Sequence, residues 1–228
     1  MGETRIVLVR HGESLAQERR IVGGHAGCEG LSALGVRQVE ALRDRLIDTG
    51  ELKDAAALYS SVMARAVQTA QILAPALGDL EVRQDCDFCE GHPSADSDGM
   101  AWAEFDLRWP APAQWDPEVA REPGGESYAQ MRQRVSARLD RLAEQHEGET
   151  VVVACHGGVV LHSMTRWLKL DPAGDSGRAW LDPINSSLTE WRMAGNPFWA
   201  DALPVQLVRF NDHGHLRGDL LPRSRRIA

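Results

Sequence analysis

The 228-residue sequence has no apolar run close to the roughly 20 residues that a membrane-crossing helix needs. Its opening residues, Met1 to Arg5, lack the apolar stretch of a secretory signal. Position 6 is Ile6, where a myristoylation motif wants Ser or Thr, so Gly2 is not expected to carry a lipid. Cysteine is scarce: Cys28, Cys86, Cys89 and Cys155 are too few for a disulfide framework, which fits a reducing, cytoplasmic setting. Positive charge is also short, with 25 Lys+Arg against 33 Asp+Glu and a net charge of -8. That balance excludes broad, sequence-independent nucleic-acid binding, which needs a basic footprint. Neither nucleic acid nor membrane is therefore expected as a partner, and no internal repeat is visible.

What remains is an ordinary soluble composition, 43% hydrophobic and 25% charged, which rules out a disordered chain. The length suits one domain, residues 1–228, with room for a core and an insertion. Residues 5–10 form a β-branched-rich run that is apolar on both faces, as strands of a covered parallel sheet are. Ser32 opens a helix with Val36, Val39, Leu42 and Leu46 on one face, and Gly50 closes it. Further strands are expected at 55–60, 80–86, 150–155, 188–193 and 205–210, with helices at 63–77, 126–145 and 158–168. Alternating strands and helices predict an α/β fold: a three-layer α/β/α sandwich around a mostly parallel sheet. The last residues, 223–228, are basic and expected to fray.

The register breaks between 91 and 125, where Pro93, Pro110, Pro112, Pro117 and Pro123 accompany Trp102, Trp109 and Trp115. This predicts a small irregular cap, or lid, with a short helix near 100–108. Its tryptophans read as cap packing rather than a stacking platform for bases.

In a parallel sheet, ligands gather beyond the C-terminal strand ends, where helix N-termini offer free N–H groups. Three strand ends are loaded here. The first delivers Arg10-His11-Gly12-Glu13-Ser14, and the second Ser60-Ser61, with Arg65 in the first turn after it. The 150–155 strand delivers His156-Gly157-Gly158. Two arginines, two histidines and flanking glycines describe a site for a compact multivalent anion, most plainly a phosphoryl group. A neutral imidazole among such donors is also a competent nucleophile.

These segments resemble the histidine phosphatase superfamily, the phosphoglycerate mutase-like clan with the RHG signature. The likeness runs in order along the chain. It includes Arg10-His11-Gly12-Glu13-Ser14, Leu31-Ser32 with Gly35 and Gln38, and Ser60-Ser61 through Arg65-Ala66-Val67-Gln68-Thr69-Ala70. It continues with Gly124-Gly125-Glu126-Ser127, His156-Gly157-Gly158, Asn185-Ser186-Ser187 and Asn211-Asp212 with His215-Leu216. The resemblance implies that His11 is the nucleophile, with Arg10, Arg65 and His156 gripping phosphoryl oxygens and Ser14, Gln17 and Gly157 completing the phosphate-binding set. It implies a small phosphorylated metabolite as partner and no cofactor, and it allows a homodimer, since members of the family are often dimers.

Phosphoryl transfer also needs a general acid for the leaving oxygen. Glu90 is the candidate, because it follows the third strand as the family's acid does and Gly99 with Trp102 matches the family's G-x-x-W spacing. Asp87 and Glu104 compete. Three departures favour hydrolysis over mutase chemistry. Gln17 stands where the mutases have Asn, and Glu90-Gly91-His92-Pro93 replaces their continuation after the acid. Their carboxylate-gripping cations are also missing, unless Arg108 and Arg121 substitute. The expected activity is thus metal-independent hydrolysis of a small phosphomonoester through phosphohistidine, with mutase activity or non-catalytic phospho-ligand binding as the alternatives.

Cys86-x-x-Cys89, with His92 nearby, suggests zinc or redox chemistry, but no second Cys pair exists and a structural zinc takes four ligands, so both cysteines read as ordinary thiols near the site and no metal is expected. Asp171 and Asp182 show no ligand spacing. His25 and Arg19–Arg20 lie in a Gly-rich stretch that suits a rim for substrate selection or a plain solvated loop. His146, His162 and His213 read as helix or surface residues. With a net charge of -8, an anion site requires its cations to be focused in a cleft and the surplus acid to lie elsewhere, for instance along residues 126–149.

Overall fold

The computed structural model describes residues 2–170, 181–194 and 205–221. Asp171 and the basic 223–228 tail lie outside them. Among the described residues, six strands form one sheet: β1 (Thr4–Arg10), β2 (Ala55–Ser60), β3 (Val82–Gln84), β4 (Thr150–Cys155), β5 (Leu188–Met193) and β6 (Val205–Asp212). Their order is β3-β2-β4-β1-β5-β6, parallel from β3 to β1 and antiparallel at β5 and β6. The helices are α1 (Leu15–Arg19), α2 (Ala33–Thr49), α3 (Ala64–Leu73), α4 (Trp102–Arg108), α5 (Tyr128–Gln145) and α6 (Gly157–Trp167).

Alternation along the strands builds two cores. Ile6 and Leu8 of β1 and Val151 and Val153 of β4 face α5 and α6, packing on Val135, Leu139, Val160 and Met164. Val7 and Val9, with Val152 and Ala154, face the other way onto Val39, Leu42 and Leu46 of α2 and Leu73 of α3. The central strands are buried on both sides, which is why they read as unbroken apolar runs. This is the α/β/α sandwich expected.

Local chemistry sets most boundaries. Ser32 caps α2 by accepting from Gly35 N, and Gly50 ends it at φ 64°. Ser127 and Gln130 form a reciprocal capping box on α5. Three details depart from the sequence reading. The 63–77 helix splits into α3 and a 3-10 turn, Ala74–Leu77, with Pro75 near its start. The 80–86 strand shrinks to β3, because Cys86–Phe88 turns into a 3-10 helix capped by Asp85. The short α1 was not foreseen; it exists through a capping box between Ser14 and Gln17.

Residues 91–125 form an irregular cap whose one α-helix is α4. Two carboxylates organise it and the loop beside it. Asp98 accepts from the backbone N–H groups of Gly24, Ala26 and Gly27 at 2.7–2.8 Å. Buried Glu122 accepts from Ser94 N and from the hydroxyls of Ser94 and Ser97. Phe105 packs between Trp102 and Trp109, but Trp102 and Trp115 remain 43% and 49% exposed, so cap packing does not account for all the tryptophans. His162 lies in α6 and His146 caps the end of α5, as helix residues; both are buried rather than at the surface, the latter against Tyr59 and Glu149.

Candidate active site

The parallel register aligns the loaded strand ends. Arg10 pairs with Cys155 and Ser60 with Ala154, so His11, Ser61 and His156 leave the sheet side by side. Arg65 rises from the first turn of α3 and stands between the two imidazoles. Its Nε donates to His11 Nε2 at 3.1 Å and to His156 Nδ1 at 3.3 Å, while Nη1 donates to Gly23 O at 2.7 Å. The two rings meet edge to face, with centroids 5.0 Å apart.

The hydrogen bonds assign the tautomers. His11 Nδ1 lies 2.6 Å from Gly12 O and must donate, which leaves Nε2 with its lone pair toward the guanidinium. His156 Nδ1 likewise accepts from Arg65, so its Nε2 carries the proton toward Ser61 Oγ at 2.7 Å. Burial, then the charges of Arg65 and Arg10, hold the His11 pKa well below the ordinary histidine value. Burial and Arg65, His11 and Arg10 do the same to His156.

A cleft of about 1130 Å³ opens onto this cluster, lined by Arg10, His11, Ser14, Gln17, Arg65 and Glu90 among others. His156 and Gly157 do not line it: His156 is fully buried behind Arg65, and Gly157 lies against the Arg10 guanidinium. Arg10 Nη1 is held by Asp182 at 2.8 Å and by the Pro183 carbonyl. Ser14 and Gln17 spend polar atoms on one another, and Gln17 also meets Asn185, whose Nδ2 donates to His11 O at 3.0 Å.

Of the three acid candidates, the fold brings Glu90 alone into the cleft. Its Oε2 accepts from Gly158 N at 3.1 Å, at the start of α6. A Cβ at position 158 would come within 2.1 Å of Glu90 Oε1, so the second glycine of His156-Gly157-Gly158 is what admits this carboxyl. Asp87 is turned away onto Arg141, and Glu104 is exposed on α4 outside the cleft. Among the cap cations, Arg121 reaches the cleft, tied to Asp106 and stacked on Phe105, but Arg108 stacks on Trp109 and does not. Glu122 and Glu126 also line the cleft, so the surplus acid is not kept clear of it; each is committed, Glu126 to Arg134 at 2.7 Å.

Sequence reading missed three features: the Ser61 hydrogen bond that fixes His156, the anchoring of His11 by Asn185, and the placement of His25. His25 joins Cys86, Cys89 and His92 in a group whose ligand atoms all lie within 4.8 Å of one another. Though no second Cys pair exists, Cys86-x-x-Cys89 and His92 thus have a fourth possible ligand beside them. Distance in sequence hid the fourth.

Three buried histidines and the half-buried His215 make stability sensitive to mild acid. His11 and His156 are held low as above, and burial first lowers His162 and His215 to about 4. In the unfolded chain each takes a proton near pH 6.5, whereas the folded chain refuses it until well below. Stability therefore falls as pH drops from about 6.5 toward 4, by roughly 2–3 kcal/mol for a group like His162. Urea midpoints should decline across that window, starting well above the range where carboxylates titrate. A midpoint that stays constant from pH 7 to 5 would contradict this.

The chain belongs to the Histidine phosphatase superfamily (branch 1), whose family model matches residues 6–200. It is 32% identical over 216 residues to Phosphoglycerate mutase-like protein 4 of Arabidopsis thaliana, covering 93% of this chain and 89% of that protein. It is 30% identical over 225 residues to a metal-independent phosphoserine phosphatase of the same plant, covering 96% and 90%. Among solved structures, a mycobacterial glucosyl-3-phosphoglycerate phosphatase superposes with a TM-score of 0.72 at 25% identity, covering 92% of this chain and 99% of that one. No helix among the described residues is long and apolar enough to cross a membrane.

Proposed function

We propose that the protein is a phosphatase that hydrolyses a small phosphomonoester through a phosphohistidine at His11. The carrying observation is the His11 ring itself, tied through Nδ1 to Gly12 O with Nε2 free of its proton and facing Arg65. Burial and two guanidinium groups keep this imidazole neutral and nucleophilic throughout the physiological range.

A phosphate entering the cleft takes the place of the imidazoles as the acceptor for Arg65 and lies against Arg10. Both guanidinium groups then neutralise charge on the non-bridging oxygens, while His156, its Nε2 proton held by Ser61, backs Arg65 from behind the cleft rather than gripping the phosphate itself. His11 Nε2 forms the N–P bond while the ester P–O bond breaks. The leaving oxygen takes a proton from the Glu90 carboxyl and departs as an alcohol. Water then attacks phosphorus, gives its proton to the Glu90 carboxylate and displaces His11 Nε2, releasing inorganic phosphate. Every proton is returned, and no metal enters the cycle.

The relatives' names put phosphoserine and glucosyl-3-phosphoglycerate first in a substrate screen. The same chemistry with a sugar-acid hydroxyl replacing water would be a mutase. Incubation with 3-phosphoglycerate and a trace of its bisphosphate separates them: inorganic phosphate is the expected product, and accumulation of 2-phosphoglycerate would replace this reading with the mutase. Rapid quenching with labelled substrate should trap about one acid-labile, alkali-stable phosphate per chain. Measurable turnover with none trapped would overturn the covalent route.

A further inference from the structure

We propose that Cys86, Cys89, His25 and His92 form a tetrahedral site for zinc or a similar borderline-soft divalent ion, built at the rim of the cleft and structural in role. The four residues come from two segments that sequence keeps apart. Cys86 and Cys89 flank the 3-10 turn after β3, His92 follows three residues on, and His25 sits in the Gly-rich loop after α1. None of Arg10, His11, Arg65, His156 or Glu90 belongs to the group, so the ion takes no part in phosphoryl transfer.

The geometry fits one small ion. Cys86 Sγ lies 3.3 Å from Cys89 Sγ, 3.7 Å from His92 Nε2 and 3.9 Å from His25 Nε2. Zinc–ligand bonds of about 2.3 Å to sulfur and 2.0 Å to nitrogen, at tetrahedral angles, set ligand atoms roughly 3.3–3.8 Å apart. The three Cys86 distances lie within about half an ångström of those values, and all four ligand atoms lie within 4.8 Å of one another. Two thiolates with two imidazoles select zinc over magnesium or calcium, which want oxygen. Both thiols lose their protons to solvent on binding, and the ion replaces them.

The surroundings are those of a supported site. Glu126 Oε2 accepts from His92 N at 3.1 Å and stands 4.0 Å from His92 Nδ1, so a carboxylate backs the ring whose Nε2 faces Cys86. Arg134 fixes that carboxylate at 2.7 Å and donates to the carbonyls of Cys86, Asp87 and Cys89, holding the turn in shape. The two sulfurs differ in exposure: Cys89 is buried against Met63 and Cys28, whereas Cys86 is half-buried and His25 exposed, which leaves an entry path from solvent.

The ion's work follows from what it joins. Gly23, two residues before His25, supplies the carbonyl that holds Arg65, and Glu90 directly follows Cys89. A metal here ties the loop that steadies the phosphate-binding arginine to the segment that carries the acid. It does this where apolar packing is thin, through a satellite cluster of three buried side chains.

The test uses full-length, tag-free, reduced protein and zinc alone. After loading and gel filtration, elemental analysis should find about one zinc per chain. Cobalt substitution should give a thiolate charge-transfer band and the strong visible bands of a tetrahedral ion. Cys86→Ser should abolish the charge-transfer intensity contributed by that sulfur. His25→Ala, at an exposed position that folding tolerates, should weaken zinc binding at least about 100-fold. Zinc should also protect Cys86 from alkylation. Reduced protein that retains no zinc would overturn the proposal. So would zinc retention unaffected by Cys86→Ser and His25→Ala, or an octahedral cobalt spectrum.

Discussion

His11→Ala should lower turnover of p-nitrophenyl phosphate and phosphoserine by about 10⁴-fold or more, while leaving the chain folded and able to bind phosphate. The size of the loss follows from what the ring does. His156 cannot replace it, being fully buried with Nε2 committed to Ser61, and His92, the other histidine that lines the cleft among the described residues, turns its Nε2 to Cys86. Water attacking directly would still find Arg10 and Arg65 in place, and that residual binding and charge stabilisation sets the floor.

Folding survives because the backbone around position 11 is held independently of the ring. His11 N donates to Cys155 O at 2.9 Å, and His11 O accepts from Asn185 Nδ2 and Ser186 N. Arg65 keeps its bonds to His156 Nδ1 and Gly23 O. Urea midpoints at pH 7 should shift by no more than about 1–2 kcal/mol in stability. Vanadate or phosphate affinity, read by calorimetry, should stay within a few-fold. A variant that turns over at a tenth of the native rate or better would move the nucleophile elsewhere. A variant that neither turns over nor binds phosphate would show that His11 organises the pocket rather than reacting in it.

The legible part of this protein is the part where short-range physics decides. Continuous apolar strands with loaded C-terminal ends announced both the sheet and the anion site, because β1 and β4 are buried on both faces and ligands sit where such strands stop. Ser32, Gly50 and Ser127 marked helix ends, since capping is local. What stayed hidden depends on contacts between distant segments. The fourth ligand of the Cys86 group comes from 61 residues upstream, and no spacing rule reaches that far. The charge ledger could place the net -8 only on average; Glu122 and Glu126 line the cleft because one holds the Ser94 turn and the other pairs with Arg134. Position 158 is an intermediate case. A second glycine after His156 was visible, but its reason, the approach of Glu90 from another loop, was not.

That approach sets up the second large effect. Glu90→Gln should slow hydrolysis of alkyl esters such as phosphoserine by about 10²–10⁴-fold, because an alkoxide cannot leave without a proton. Glutamine matches the carboxyl in size and still accepts from Gly158 N, so the site keeps its shape and loses only its proton carrier. p-Nitrophenolate leaves unaided, and its ester should phosphorylate His11 at nearly the native rate. Water must still attack the phosphohistidine, and without the carboxylate to take its proton this second step becomes slow. Stopped-flow mixing of the variant with p-nitrophenyl phosphate should therefore give a burst of about one nitrophenolate per chain, followed by slow turnover. Phosphoserine should give no burst. Native enzyme should show the smaller difference between the two substrates. Equal losses on both substrates with no burst would mean that Glu90 shapes the pocket without moving protons. The acid would then be sought among the other carboxyls lining the cleft, Glu122 and Glu126, each of which would first have to leave its present partner.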